Sequence, residues 1–300
     1  MELRPSPREA GCPVCGRESR RPVTERNRLR VVRCLDCGQR YVWPVPSPEA
    51  LAQIYDRHYY DGGHGSLGFV DYDALAPARR RMFERHLDRI EATVARGRVL
   101  DVGCATGDFL VVARERGWEP MGVDPSPARE QATAAGLSIV GKTIQDAAVA
   151  PGSVDLITFW DVLEHVADPV SDLRHALALL SPRGVVAVTV PDAATAAARL
   201  SGRRWFGYKT AGEHLQFFTS RTLQATFAAA GFELMVHRPV AWSCTLGFLT
   251  DRASRYLGPS GRLVNRIVSR TGVGAIIVDV PQVNQFGLGR RTVASGTRAA

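Results

Sequence analysis

No apolar run in this sequence approaches the roughly 18 residues that a membrane-spanning helix requires. The N-terminus has no apolar segment of the secretory kind. The expectation is therefore a cytoplasmic chain without a spanning helix. Lysine is nearly missing: Lys142 and Lys209 are the only two, so the net charge of +8 is arginine charge. It is concentrated at the ends. Residues 1–40 carry ten arginines against five acids, and residues 241–300 carry eight against two, leaving the middle mildly acidic. Four thiolates around one zinc would remove about two charges from the N-terminal excess. No coherent basic face remains for nucleic acid, and no nucleic-acid partner is expected. Internal repeats are absent. Six cysteines in a reducing compartment do not make a disulfide set. The apolar content of 45% suits a globular chain with a real core.

What is present is more specific. Arg98-Val-Leu-Asp-Val-Gly-Cys-Ala-Thr-Gly-Asp-Phe-Leu110 reads as a buried strand, a turn of small residues and a helix start. Without bulky side chains at Gly103, Ala105 and Gly107, a ligand can lie against the backbone, beside the unpaired N–H groups of the helix. Asp124 ends the next apolar stretch, where a carboxylate can accept bonds from ribose hydroxyls. A nicotinamide-binding turn has a similar look.

Cys12-Pro-Val-Cys15-Gly16 and Cys34-Leu-Asp-Cys37-Gly38, eighteen residues apart, match a four-cysteine zinc ribbon. The alternation in Leu29–Arg33 gives it a hairpin strand. The expected domains are a ribbon over 1–45, a stiff proline linker and helical lead-in over 46–95, and a larger domain over 96–300. In the lead-in, Glu49–Tyr60 reads as a helix with Leu51, Ile54 and Tyr55 on one face. A glycine-rich loop over 61–68, carrying His64, follows it. A helix over 78–94, with a surface His86, completes it as packing or as a lid.

From residue 98, strands at 98–102, 120–123, 138–140, 154–159, 185–190, 232–237 and near 275–288 alternate with helices. This is an α/β fold with a doubly wound, seven-stranded, mostly parallel sheet. Asp168-Pro169 starts one helix, with Leu173, Ala176, Leu177 and Leu180 as its apolar stripe and a surface His175. Ser181-Pro-Arg-Gly184 ends it. Ser220 is expected to cap another. A helical insert over about 241–274 sets Arg262, Arg266 and Arg270 opposite Leu263, Val264, Ile267 and Val268. It reads as a solvated cap, with peripheral membrane contact as the lesser alternative. The tail after Arg291 is expected to be disordered.

The paired motifs at 98–110 and 121–124 resemble the class I S-adenosylmethionine-dependent methyltransferases over about residues 95–240. The resemblance implies that Asp101, Gly103, Cys104, Ala105 and Gly107 line the methionine part of the cofactor, with Asp101 orienting its ammonium. It places Asp124 and Pro125 at the ribose, Gln145 and Asp146 at adenine, and Trp160 beside the sulfonium. Cys104 is expected to pack rather than react.

Asp161-Val-Leu-Glu164-His165 resembles ubiquinone-pathway O-methyltransferases and small-RNA 2′-O-methyltransferases, which implies a second metal at Asp161, Glu164, His165 and His214. Gly212-Glu213-His214 resembles the Glu-His pair of sugar C-methyltransferases, which also carry a zinc module. It implies acid/base chemistry by His214, with Glu213 and His165 as partners. The function this implies is methyl transfer to a small-molecule hydroxyl of a sugar, glycolipid precursor or secondary metabolite. C-methylation of a nucleotide-linked keto-sugar and a ribbon that binds RNA are the alternatives. Oligomeric state is left open.

Overall fold

The computed structural model describes residues 11–26, 28–47, 51, 73–254 and 258–292. The expected helix over 49–60, the glycine loop with His64 and the tail beyond 292 lie outside those residues, except for Leu51.

The ribbon contributes β1 (Arg20–Arg26), β2 (Leu29–Cys34) and β3 (Arg40–Val42) as an antiparallel meander. Leu29 and Val31 point inward while Arg30 faces solvent, as the alternation requires. The larger domain begins with α1 (Ala76–Glu91). It then runs β4 (Arg98–Val102), α2 (Asp108–Glu115), β5 (Glu119–Val123), α3 (Arg129–Ala134), β6 (Ser138–Gly141), β7 (Val154–Trp160), α4 (Pro169–Leu179), β8 (Leu180–Pro191) and α5 (Ala196–Ser201). A two-residue strand β9 (Gln216–Phe217), α6 (Ser220–Ala229), β10 (Phe232–Thr245), α7 (Leu246–Ser254), α8 (Gly258–Arg270) and β11 (Ile277–Arg291) complete it.

The seven-stranded sheet has the order β10-β11-β8-β7-β4-β5-β6, with β8-β7-β4-β5-β6 parallel and β11 running antiparallel between β8 and β10. The chain winds from β4 toward β6, then returns to β7 and continues the other way. The reversal beside β4 opens a crevice at the carboxyl ends of the strands, where such sheets hold ligands. The central strands are apolar on both faces, and each face has its own core. One packs Val99, Leu156 and Ala187 under α1 and α2. The other packs Leu100, Ile157 and Val186 under α4 and α6.

Several boundaries differ from the sequence reading, for local reasons. β8 starts at Leu180, where Val154 pairs with it, so Ser181–Gly184 lies in the strand. α6 is capped by Thr219, whose hydroxyl accepts from Thr222 N, while Thr222 returns the bond to the Thr219 N–H; Ser220 is its first helical residue. β10 continues to Thr245, so the insert begins later than 241. His86 is not on the surface. It is 2% exposed and stacked on Trp160 and Phe286 at centroid distances of 5.0 and 5.3 Å. Its spacing of four from Met82 and Ile90, both buried, puts it on the apolar stripe of α1. His175 is exposed, as expected.

Candidate functional site

β4 ends in a turn built from backbone. Gly103 and Cys104 donate N–H bonds to the carbonyl of Val123 at 2.8 and 3.1 Å, tying the turn to the end of β5. Gly103 and Gly107 have φ of 78° and 87°, and a Cβ on Gly107 would sit 2.3 Å from the Leu137 side chain. Ala105 tolerates φ of 45° in the same turn, a strained choice for a residue with a Cβ.

Asp124, 4% exposed, organises the cradle. Its Oδ2 accepts from Ala105 N at 2.8 Å and its Oδ1 from Ser126 N at 2.8 Å. The Ser126 hydroxyl also donates to Oδ1, at 2.5 Å. A carboxylate has about four lone-pair positions, so one remains, on Oδ2, for a ribose hydroxyl. Pro125 beside it is exposed, and its carbonyl accepts from Arg129. Cys104 is buried, and a Cβ on Gly122 would meet its Sγ at 2.6 Å. This thiol fills space, and burial pushes its pKa up, away from a reactive thiolate.

Asp101 lies beneath the turn, 3% exposed, accepting from the Thr158 hydroxyl at 2.6 Å. Burial, with Asp124 nearby, pushes its carboxyl up to about 8. The ordinary value in an unfolded chain is about 3.9. The folded state therefore binds the extra proton, and this group's contribution to stability falls as pH rises from about 4 to about 8. Asp101→Asn should flatten that part of the profile. Thermal denaturation across the range checks it, and an unchanged slope would clear Asp101.

Trp160 ends β7 and packs against Phe83, Phe109 and His86. Its Nε1, the Thr106 hydroxyl and His86 Nε2 are buried polar atoms without a protein partner. Thr106 belongs to the turn itself, and its buried, unsatisfied hydroxyl fits a polar ligand there. Gln145 and Asp146 follow β6 on the same rim. Asp146 closes its own turn by accepting from Thr143 N at 2.6 Å, and Gln145 donates to Asp172 at 2.6 Å.

A second group stands beside the cradle. Ligand atoms of Glu164, His165 and His214 all lie within 4.8 Å of one another. Asp161 is not part of this group, contrary to the sequence reading. Its Oδ1 accepts from Thr189 at 3.0 Å and Asn284 at 2.7 Å, and its φ of 54° turns it away from a helical start. Thr189 and Asn284 are invisible as site residues in the sequence, being polar interruptions of apolar strands. His165 Nδ1 donates to the Glu213 carbonyl at 2.8 Å, so its Nε2 carries the lone pair, 4.0 Å from Glu164 Oε1. Glu213 thus meets His165 through its backbone. The His214 ring meets His165 edge-on at 4.7 Å. Burial pulls His165 down to about 4 and His214 well below its ordinary range, His165 adding to the latter. Burial, then Asp161, raises Glu164 well above the carboxylate range, and its Oε2 is buried without a partner. Neutral imidazoles beside an unsatisfied carboxyl oxygen fit a divalent cation.

The ribbon is continuous with this site. β3 pairs antiparallel with β9, two residues after His214. Leu215 N and Gln216 N both donate to the Glu164 carbonyl at 2.7 and 2.9 Å, and Val42 N donates to the Leu215 carbonyl at 2.8 Å. Gln39, fully buried, donates to Gln216 at 3.2 Å, and Arg40 reaches Tyr208 at 3.1 Å. In the ribbon's far corner, Cys12 and Cys37 sulfurs lie 3.5 Å apart and Cys15 and Cys34 sulfurs 3.6 Å apart. Disulfides need about 2.05 Å; a zinc tetrahedron with 2.3 Å bonds has edges of about 3.8 Å. The four ligand atoms fit one metal ion.

Among the described residues, no helix is long and apolar enough to cross a membrane. A methyltransferase domain family matches residues 74–237. The ubiquinone biosynthesis O-methyltransferase of Azorhizobium caulinodans is 30% identical over 149 residues, 46% of this chain and 59% of that protein. The enzyme of the same name from Cereibacter sphaeroides is 30% identical over 166 residues, 50% of this chain and 67% of that protein. The chain thus spans about six-tenths to two-thirds of these curated relatives. An S-adenosylmethionine-dependent methyltransferase from Thermotoga maritima shares the fold at 18% identity, with a TM-score of 0.51 over 80% of this chain and 99% of that one. With the cradle on the rim of a seven-stranded sheet and the family match over more than half its length, the chain belongs to the methyltransferase domain family and has the class I methyltransferase fold.

Proposed function

We propose that this enzyme methylates a hydroxyl oxygen of a small molecule: a sugar, a glycolipid precursor or a secondary metabolite. The observation that carries the reading is the Glu164–His165–His214 group on the same rim as the cradle. The O-methyltransferase names of the curated relatives support it.

The acceptor oxygen attacks the sulfonium methyl in line, the carbon–sulfur bond breaks, and the hydroxyl proton must leave. His165 offers the lone pair on Nε2, held in that tautomer by the Glu213 carbonyl. That nitrogen lies 4.0 Å from the Glu164 carboxyl, which burial favours in its neutral form. Glu164, His165 and His214 would also hold a divalent cation, which would lower the pKa of a bound hydroxyl. Asp124 holds the cofactor ribose, Asp101 sits below its ammonium, and Trp160 stands beside the sulfonium. Gln145 and Asp146 border the adenine. Cys12, Cys15, Cys34 and Cys37 hold a structural zinc.

His214→Ala should leave S-adenosylmethionine affinity within about twofold while cutting turnover by about 10²–10³-fold. Release of S-adenosylhomocysteine against a panel of hydroxylated acceptors, with the methylated atom located by NMR, tests this. Full turnover by the variant, or a product methylated at carbon, would reject the hydroxyl reading.

A further inference from the structure

We propose that α8 is an interfacial helix that docks the enzyme on an anionic lipid surface. α8 has three strips. Gly261 and Val268 are buried, and Asn265 accepts from Thr250 of α7 at 2.9 Å, so this strip faces the protein. Leu263, Val264 and Ile267 form a second strip, and they are 57%, 51% and 53% exposed. The sequence pattern alone sets these apolar residues against the protein. Ile276, 53% exposed, follows the helix and enlarges the apolar surface. Arg262, Arg266 and Arg270, spaced by four, form the third strip next to Leu263 and Ile267. All three arginines are exposed, and none forms an ion pair among the described residues.

An exposed aliphatic strip bordered by unneutralised arginines is the pattern of a helix lying in the headgroup plane. A second copy is a poorer occupant, because a two-fold contact would set these arginine strips against each other. Asp279 is already held by Arg81 and Arg85 of α1 at 3.2 and 2.9 Å.

The placement of the insert is an independent argument. Asn284 of β11 pairs with Pro191 at the carboxyl end of β8, and Val240 of β10 pairs with Asn284. Residues 277–283 and 241–245 therefore overhang the carboxyl rim as a two-stranded arm. α7 and α8 sit at its tip, on the side of the sheet where the cradle opens. Docking through α8 turns the reaction side toward the surface.

The test is flotation of the zinc-loaded full chain with vesicles of phosphatidylglycerol or of phosphatidylcholine. Wild type should float with the anionic vesicles and remain behind with the zwitterionic ones. Each arginine replaced in an Arg262→Gln, Arg266→Gln, Arg270→Gln series should lower partition about fivefold at low salt. Leu263→Asp with Ile267→Asp should abolish it. S-adenosylmethionine affinity should stay unchanged in every variant, which reports an intact fold. Failure to bind phosphatidylglycerol vesicles would overturn the proposal, as would binding indifferent to both sets of changes. A concentration-dependent dimer dissolved by Ile267→Asp, without vesicle binding, would instead assign the face to a second copy.

Discussion

Asp124→Ala is expected to weaken S-adenosylmethionine binding about a hundredfold while the chain stays folded. One hydrogen bond to a charged group contributes about 1.5–3 kcal/mol when the partner is buried, and Asp124 is 4% exposed. The loss has a second part. The same carboxylate holds Ala105 N and Ser126 N, so the cradle loses its fixed shape. Asp124→Asn keeps one acceptor oxygen for these amides and should fall between the two. Titration calorimetry reads the affinities, and circular dichroism reads the fold. Equal affinity in Asp124→Ala would place the cofactor elsewhere.

Stripping the proposed zinc should have the second large effect, and it should reach beyond the ribbon. Structural zinc sites contribute about 10–16 kcal/mol to the folding of their modules. This ribbon has a small core of its own, with Cys12, Val14, Val32, Cys34 and Tyr41 buried together. Without metal it should unfold. β9 then loses β3 as its neighbour, and Leu215 loses the Val42 bond. The loop carrying His214 loses one of its two walls. We expect chelation, or Cys15→Ser with Cys37→Ser, to remove amide protection at Leu215 and Gln216 in hydrogen exchange. Turnover should fall with it, while calorimetric affinity for S-adenosylmethionine holds within about threefold, because the cradle rests on β4 and β5. Protection unchanged after zinc loss would separate the ribbon from the site.

Local chemistry is readable in the sequence. The cysteine pairs, the small-residue turn and the Glu164-His165 pair are all set by neighbours within a few residues, and composition marks them directly. The central strands are legible because both faces are covered, giving apolar runs such as Val185–Val188. Long-range pairing is not. Gln39 and Gln216 are 177 residues apart, and a two-residue strand leaves no periodic trace. So the ribbon reads as a separate module, although its sheet is completed beside His214. Spacing groups Asp161 with Glu164, yet Thr189 and Asn284 from two other strands hold it aside. His86 shows the converse: its spacing from Met82 and Ile90 signals burial, and residue type alone suggests a surface.

The central claim is that the turn after β4 and the carboxylate of Asp124 hold the cofactor with its methyl directed at Glu164, His165 and His214. A crystal structure of the zinc-loaded chain with S-adenosylhomocysteine tests it most directly. The account predicts a ribose hydroxyl on Asp124, the sulfur beside Trp160 and the vacated methyl position open to the two imidazoles. A homocysteine sulfur facing away from that group, or a ribose bound clear of Asp124, would contradict it.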